Sequence, residues 1–458
     1  MRVNTLLDEI LTKLNLQFSA AKANKFPPPG LYHYQHESTG ERSRIHLRID
    51  PGIGDEGARG ILLVNASRVL HLNPTATMMT YLILEEYDRE HAIKRIERQY
   101  NVSTEQAIND YAKFAANLDD LMRPDEVCPV CDLDVEISAP FTTKPSAPYR
   151  MDLALTYRCN NDCSHCYNAR PRDFSQLATE QWMSIIEKVW EIGIPHIVFT
   201  GGEPTLRDDL PTLIQHAEKL GQITGLNTNG RRLMDPEYIK TLVDAGLDHV
   251  QITVESHDST IHDYMVRRKG AFQQTITGLT NALDTPLYVM TNTTMLDHNS
   301  PYLEETLDFL ASVGVPTIGL NALIYSGRGS TVGSGLSETE LEPLLAMARM
   351  KTSMHGQRLI WYTPTQYCNF DPMQLELGVK GCTAALYNMC IEPDGGVIPC
   401  QSYYHQLGNL LSASWDSIWN HDLSKSLRER KYVPEKCHRC NLLQECGGGC
   451  PLYLTTSR

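Results

Sequence analysis

The chain has 458 residues, 41% hydrophobic and 21% charged, with a formal net charge of −14. That length exceeds one ordinary core and suits about three domains. The negative balance speaks against a nucleic-acid partner held by phosphate contacts, while leaving room for a short basic peptide. The opening "MRVNTLLDEILTKLNLQF" carries acidic residues at helical spacing, unlike a signal peptide. No stretch approaches the roughly 20 continuous apolar residues of a membrane span. A cytoplasmic protein with no membrane partner is expected, in a compartment where disulfides are rare.

In chain order, residues 1–46 read as an amphipathic helix, the breaker "FPPPG" and a polar loop. Three β-like runs follow, "RIHLRID", "GILLVNA" and "RVLHLN", then three helical patterns, the last opened by a Ser103-x-x-Gln106 capping box. Residues 1–125 thus form a small α+β domain without an acid-base cluster, which suits binding better than catalysis. Residues 126–148 are a proline-rich linker containing the pair Cys128 and Cys131 in "CPVC".

From 149 to 363 the pattern is a regular β/α alternation. The strand-like runs are "RMDLALTY", "HIVFTGG", "ITGLNTNG", "DHVQITVES", "LYVMTNTTML" and "PTIGLNALIY". Parallel strands need crossover helices, so the choice lies between a barrel, complete or incomplete, and an open doubly wound sheet. Either architecture gathers ligands at the C-terminal ends of its strands. The unusual residues fall there: Cys159 after the first strand, "TGGEP" after the second, "NTNG" after the third, "ESHD" after the fourth. Residues 364–458 form a loop-rich tail with eight of the 13 cysteines. So short on core, the tail is expected to be held by metal clusters.

None of the 13 cysteines lies between 167 and 367. Bunched thiols in a reducing compartment point to metal ligation. In "CNNDCSHC", Cys159 and Cys166 would stand about 10 Å apart on a helix, too far for adjacent corners of one small cluster. The filler residues Asn160, Asn161, Asp162 and Ser164 favour turns, and a curled loop would bring the sulfurs together. A four-iron cluster held by three cysteines leaves one iron open for chemistry. The alternatives are three buried thiols or a zinc site completed by His165.

Cys-x3-Cys-x2-Cys after the first strand, with Gly201-Gly202-Glu203-Pro204 after the second, resembles the radical S-adenosylmethionine (radical SAM) enzymes. The resemblance implies a partial (β/α)6 TIM-type barrel and a 4Fe–4S cluster on Cys159, Cys163 and Cys166. It implies S-adenosylmethionine bound at the open iron, and a flavodoxin- or ferredoxin-type reductant. It also implies a 5′-deoxyadenosyl radical that abstracts hydrogen from substrate. In that role Gly201 and Gly202 admit the methionine end and Glu203 faces its ammonium, with Pro204 completing the cofactor-binding motif. Asn229, Thr253 and Glu255 take ribose and carboxylate contacts, and Arg267 pairs the carboxylate.

The tail resembles the SPASM extension of the same enzymes. Cys382, then Gly395 and Cys400, then Cys437, Cys440, Cys446 and Cys450 keep its spacings. The resemblance implies two auxiliary 4Fe–4S clusters. One is held by Cys382, Cys400 and Cys450, with Cys390 or Cys368 as a fourth ligand. The other is held by Cys437, Cys440 and Cys446. Eight residues follow Cys450 and none is cysteine, so the second cluster has an open iron or draws on Cys368, Cys128 or Cys131. "CPVC" is otherwise a redox pair or a turn. A zinc ribbon would not need seven or eight sulfurs. Gln401 stands where enzymes that make formylglycine carry an aspartate base, which disfavours that activity.

Residues 1–125, with "ILLVNASRVLHLNPTATMMTYLI" as the best match, resemble a PqqD-like peptide-recognition domain. That implies a precursor peptide captured through its leader as an added strand; the alternative is a structural cap on the barrel. The expected whole is a radical SAM peptide maturase that forms a thioether or carbon–carbon cross-link. The rivals are a peptide epimerase using Cys368 as hydrogen donor, a backbone-excising enzyme, a small-molecule synthase, and an iron-sulfur electron carrier or scaffold. No catalytic acid or base is assigned. His257, Asp258 and Tyr325 lie near the mouth but read as capping or packing residues.

Overall fold

A computed structural model describes residues 27–38, 41–50, 58–65, 68–122 and 145–456. The N-terminal helix expected before residue 27 and the pair Cys128 and Cys131 lie outside the described residues. The chain divides into two compact units, Met1–Lys144 and Pro145–Arg458. Among the described residues, no helix is long and apolar enough to cross a membrane.

The first unit is an antiparallel sheet of β1 (Gly30–Ser38), β2 (Glu41–Asp50), β3 (Arg59–Val64) and β4 (Arg68–Leu72), in that order. Three helices follow, α1 (Pro74–Leu84), α2 (Arg89–Tyr100) and α3 (Thr104–Met122). Ile45, Leu47 and Ile49 alternate along β2 into a core shared with Met78, Leu82, Ile96 and Leu118, the period-two burial of a one-sided sheet. Each helix starts on a polar cap. Asn73 accepts from the Ala76 amide at 2.8 Å, Asp88 from His91 at 3.3 Å, and Ser103 from Gln106 at 3.2 Å. The unit has four strands where three were expected. β1 falls in a segment expected to be a polar loop, since its period-two signal rests on Tyr32 and Tyr34 alone, alternating with His33 and Gln35.

The second unit carries seven parallel strands: β5 (Arg150–Thr156), β6 (His196–Gly201), β7 (Ile223–Thr228), β8 (His249–Thr253), β9 (Tyr288–Thr294), β10 (Thr317–Asn321) and β11 (Arg358–Trp361). The crossover helices are α4 (Thr179–Glu191), α5 (Leu210–Leu220), α6 (Pro236–Asp244), α7 (Ser259–Val266), α8 (Ala271–Leu283), α9 (Leu303–Val313) and α10 (Glu338–Met354). Leu153, Phe199, Leu226, Val250, Ile252, Ile318 and Leu320 bury one face of the strands against these helices. The residues alternating with them, Asp152, Thr200, Asn227, Gln251, Asn292 and Asn321, give the inner face a polar lining. The strands make a partial barrel, as the resemblance implies, with β11 as a seventh strand beyond the six expected.

The tail differs from its expectation in one respect. It is held by strand pairing and apolar packing as well as by whatever its cysteines bind. β12 (Asn388–Ile391) lies parallel to β5, and β13 (Gly396–Ile398) and β14 (Gly408–Asn409) extend the same ten-stranded sheet. Met389, Ile391, Val397, Ile418 and Trp419 join the main core. Strands of four residues or fewer give no periodic signal; their pairing is decided by the exposed edge of β5.

Candidate active site

The loop Cys159–Cys166 leaves the C-terminal end of β5 and is tied down on every side. The Asp162 and Ser164 amides donate to the Val266 and Met265 carbonyls at 3.0 and 2.9 Å, joining the loop to the end of α7. Asn229 Nδ2 donates to Asn160 Oδ1 at 2.6 Å, joining it to the turn after β7. The Arg328 amide donates to the Cys166 carbonyl at 2.9 Å from beyond β10. The Asn161 amide points at the Cys159 sulfur, 3.4 Å away.

Three arginines that the sequence reading passed over complete the cage. Arg172 donates to the Cys159 carbonyl, to the Asn161 carbonyl at 2.6 Å and to Asp162 Oδ1 at 2.7 Å. Arg231 reaches the Asn160 carbonyl at 2.7 Å and Asn161 Oδ1 at 2.9 Å. Arg328 Nη1 pairs with Asp162 Oδ1 at 2.8 Å. Three guanidinium groups around three thiols set a positive field where thiolates must form. Their only sequence signal was position, each lying in a connection at the C-terminal side of the sheet.

The glycine-glycine-glutamate turn after β6 is built around the same loop. Gly201 has φ of +126°, and a Cβ there would stand 2.2 Å from the Thr156 carbonyl oxygen. A Cβ on Gly202 would stand 2.3 Å from the Arg158 carbonyl oxygen. The missing side chains make room for the backbone that leads into Cys159. The Gly202 and Glu203 amides use that approach, donating to the Thr156 and Arg158 carbonyls at 2.7 and 2.8 Å.

Glu203 is fully buried. Its Oε1 accepts from the Thr205 amide at 3.1 Å and from the Thr205 and Thr228 hydroxyls, each at 2.7 Å, while Oε2 accepts the Asn229 amide at 2.8 Å. Desolvation raises its pKa, and these four donors oppose the rise. Glu203 therefore braces two turns, and Pro204 opens the 3-10 turn that follows it.

Glu255 is likewise buried. Its Oε2 accepts the Thr294 amide at 3.0 Å, and its Oε1 lies 2.9 Å from His165 Nε2 without hydrogen-bond alignment. That contact engages His165 Nε2. Thr253 ends β8 beside Glu255, and Arg267 caps α7 in left-handed backbone next to the residues that hold the cysteine loop. Asp258 caps the start of α7, and His257 bonds Thr306 Oγ1 at 3.2 Å. Tyr325 packs on Tyr453, ring centres 5.2 Å apart.

The thiols are unbridged. Burial pushes Cys159 up to about 11, with Glu203 adding to the rise, and holds Cys163 well above the ordinary thiol range, with Cys166 adding to it. Three such neighbouring thiols give up protons readily only to a positive group among them. Among the described residues no three His, Cys, Asp or Glu side chains close on a single metal ion. Three thiols on one curled loop, with the Asn161 amide turned toward Cys159 and guanidinium groups around them, are a donor set that suits a four-iron cluster.

In the tail, Cys382 feels Cys450 and Cys400 after its own desolvation, and Cys400 feels Cys450, so these three are mutual neighbours. Desolvation holds Cys400 up at about 12. Cys390, whose thiol also feels Cys400, packs with Ala154, Tyr157 and Ile398 in an apolar cluster. The chain after Cys166 runs onto this region. Arg170 grips Glu392 with two bonds of 2.6 and 2.9 Å, and the Tyr167 hydroxyl donates to Gln401 Oε1 at 2.8 Å.

Comparison with known proteins agrees with this geometry. Residues 153–321 match the model of the radical SAM superfamily, and residues 382–441 match SPASM, an iron-sulfur cluster-binding domain. The structure resembles Streptococcus suis SuiB bound to its precursor peptide SuiA, with a TM-score of 0.64 and 16% identity over 86% of this chain and 93% of that one. SuiB bound to S-adenosylmethionine gives a TM-score of 0.65 at the same identity and coverage. The protein anSMEcpe with bound AdoMet gives 0.54 at 17% identity, over 66% of this chain and 89% of that one. At these identities the likeness speaks to the fold.

Proposed function

We propose that this radical SAM enzyme, with its C-terminal SPASM domain, is a peptide maturase. It removes two hydrogens in all from a ribosomally made precursor peptide and closes an intramolecular thioether or carbon–carbon bond. The observation that carries the reading is the placement of Cys159, Cys163 and Cys166 in an arginine-braced loop at the C-terminal ends of β5 to β8. When bound, the iron-sulfur clusters and S-adenosylmethionine supply a hydrogen-abstracting 5′-deoxyadenosyl radical and an exit for the surplus electron.

The chain's own residues bind, orient and exclude water. Cys159, Cys163 and Cys166 hold the first cluster. The backbone of Gly201 and Gly202, with Asn229, Thr253, Glu255 and Arg267 at neighbouring strand ends, receives S-adenosylmethionine, while Glu203 keeps that turn in shape. Met265, Leu296 and Leu323, packed together with Tyr325 beside the loop, keep water from the reacting atoms. Cys382, Cys400 and Cys450 hold one auxiliary cluster, and Cys437, Cys440 and Cys446 belong to the other. The four-stranded sheet of the first unit ends at β4, and a leader peptide adding as a strand there is the mode that fits. Support for a peptide substrate comes from the peptide-bound neighbours SuiB and anSMEcpe.

The test is anaerobic turnover with a candidate precursor peptide. A product lighter by about 2 Da, with 5′-deoxyadenosine released in step, bears the reading out. Unchanged mass with inverted stereochemistry would make the enzyme an epimerase instead.

A further inference from the structure

The second auxiliary set has three cysteines in its run, and a segment from elsewhere in the chain that carries a further cysteine, Cys368, packs against that run. The segment from Thr365 to Cys368 lies after β11, some seventy residues before Cys437, yet it packs directly on the cysteine run. The Tyr367 amide donates to the Cys446 sulfur at 3.4 Å, and Cys446 Sγ donates to the Thr365 carbonyl at 3.5 Å. A Cβ on Gly449 would stand 2.8 Å from Gln366 Cγ, so the glycine run after Cys446 lies flat against the same segment. Glu338 at the start of α10 pins this segment, its Oε1 accepting the Gln366 amide at 2.9 Å and its Oε2 the Asn369 side-chain amide at 2.6 Å. Cys368 is thus held between two anchored neighbours, next to the residue that touches Cys446.

We propose that Cys368 is the fourth ligand of the cluster held by Cys437, Cys440 and Cys446. The proposal rests on the cluster assignment above and deepens it. Each thiol loses its proton as its sulfur bonds iron, so the four together complete a cluster with no iron left open. This ligand role takes Cys368 out of consideration as an epimerase hydrogen donor.

Cys368 is exposed, and that makes the test direct. The anaerobically reconstituted full-length protein is treated with iodoacetamide under native conditions and mapped by mass spectrometry, with and without prior removal of iron by a chelator. The expected result is that Cys368 resists alkylation in the loaded protein and labels fully once iron is stripped. Labelling of Cys368 in the loaded protein, while Cys437, Cys440 and Cys446 are protected, overturns the proposal and leaves the auxiliary cluster standing. Labelling of all four in the loaded protein overturns the cluster assignment itself.

Two variants give a second reading independent of labelling. Cys437→Ser should lower iron from about twelve per chain to about eight, and Cys368→Ser should lower it equally or leave a three-iron cluster visible by electron paramagnetic resonance. Full iron with an unaltered spectrum in Cys368→Ser, beside a loss in Cys437→Ser, sinks the proposal.

Discussion

The Tyr167 hydroxyl donates to Gln401 Oε1 at 2.8 Å, and each of the two residues follows a cysteine directly, Cys166 in one case and Cys400 in the other. One part-buried hydrogen bond therefore stitches the Cys159–Cys166 loop to the segment that carries Cys400. Burial raises the Tyr167 pKa, so its hydroxyl stays a donor at any working pH. Gln401, which the sequence marks only as a residue unable to serve as a base, has a structural task as the acceptor. Tyr167→Phe should cost about 0.5–1.5 kcal/mol by removing this bond. It should also raise the amount of 5′-deoxyadenosine formed per modified peptide, measured by chromatography of both. An unchanged ratio would show that the two loops keep their register without this bond.

The paired glycines give a prediction about backbone. Gly202→Ala would place a methyl group against the Arg158 carbonyl at 2.3 Å, and backbone cannot yield as a flexible side chain can. The variant should fold around its helices but lose iron from the first cluster, read as a drop of about four irons per chain. Gly314→Ala, where a Cβ would meet nothing within 4 Å, should keep its full iron despite the positive φ.

Arginine removal tests the cage. Arg328 pairs with Asp162 and its own amide holds the Cys166 carbonyl. Arg328→Met deletes a charge-assisted bond of about 1.5–3 kcal/mol while keeping much of the apolar stem. Iron should leave the first cluster to a chelator roughly tenfold faster or more, measured by visible absorbance under argon. The same rate as wild type would assign the retention to Arg172 and Arg231 alone.

A pH dependence follows from the far end of the barrel. His196 and His249 meet there, Nε2 to Nε2 at 2.9 Å, and the ring of His249 occupies the space left by Gly225. Desolvation, with Arg150 adding to it, lowers His249 from its ordinary 6.5 to about 4. Below pH 6.5 the unfolded chain binds a proton that the folded one refuses until about pH 4. Stability is therefore level above that window and falls across it by up to roughly 1.4 kcal/mol per pH unit. Urea unfolding at pH 7 and pH 5 should show this loss in wild type and a smaller one in His249→Asn; equal losses would place the acid sensitivity elsewhere.

Much of the site was legible because its signals are local. Cys159, Cys163 and Cys166 lie within eight residues, and the β/α alternation places them at a strand end beside the turns of Gly201 and Asn229. What escaped depends on partners far away in sequence. Arg231 and Arg328 look like ordinary loop cations until the fold brings them to Asn160 and Asp162. The four internal donors to Glu203 were hidden in the same way, because the turns after β6 and β7 converge on its carboxylate only in the fold. β12 is four residues long, and only the open edge of β5 makes it a strand.

The most direct trial of the account is S-adenosylmethionine cleavage by anaerobically reconstituted protein with dithionite, beside the single variant Cys163→Ser. The account predicts 5′-deoxyadenosine and methionine from the wild type and none from the variant, while the tail keeps its iron in both. A wild-type protein that holds its full iron yet leaves S-adenosylmethionine intact would contradict it.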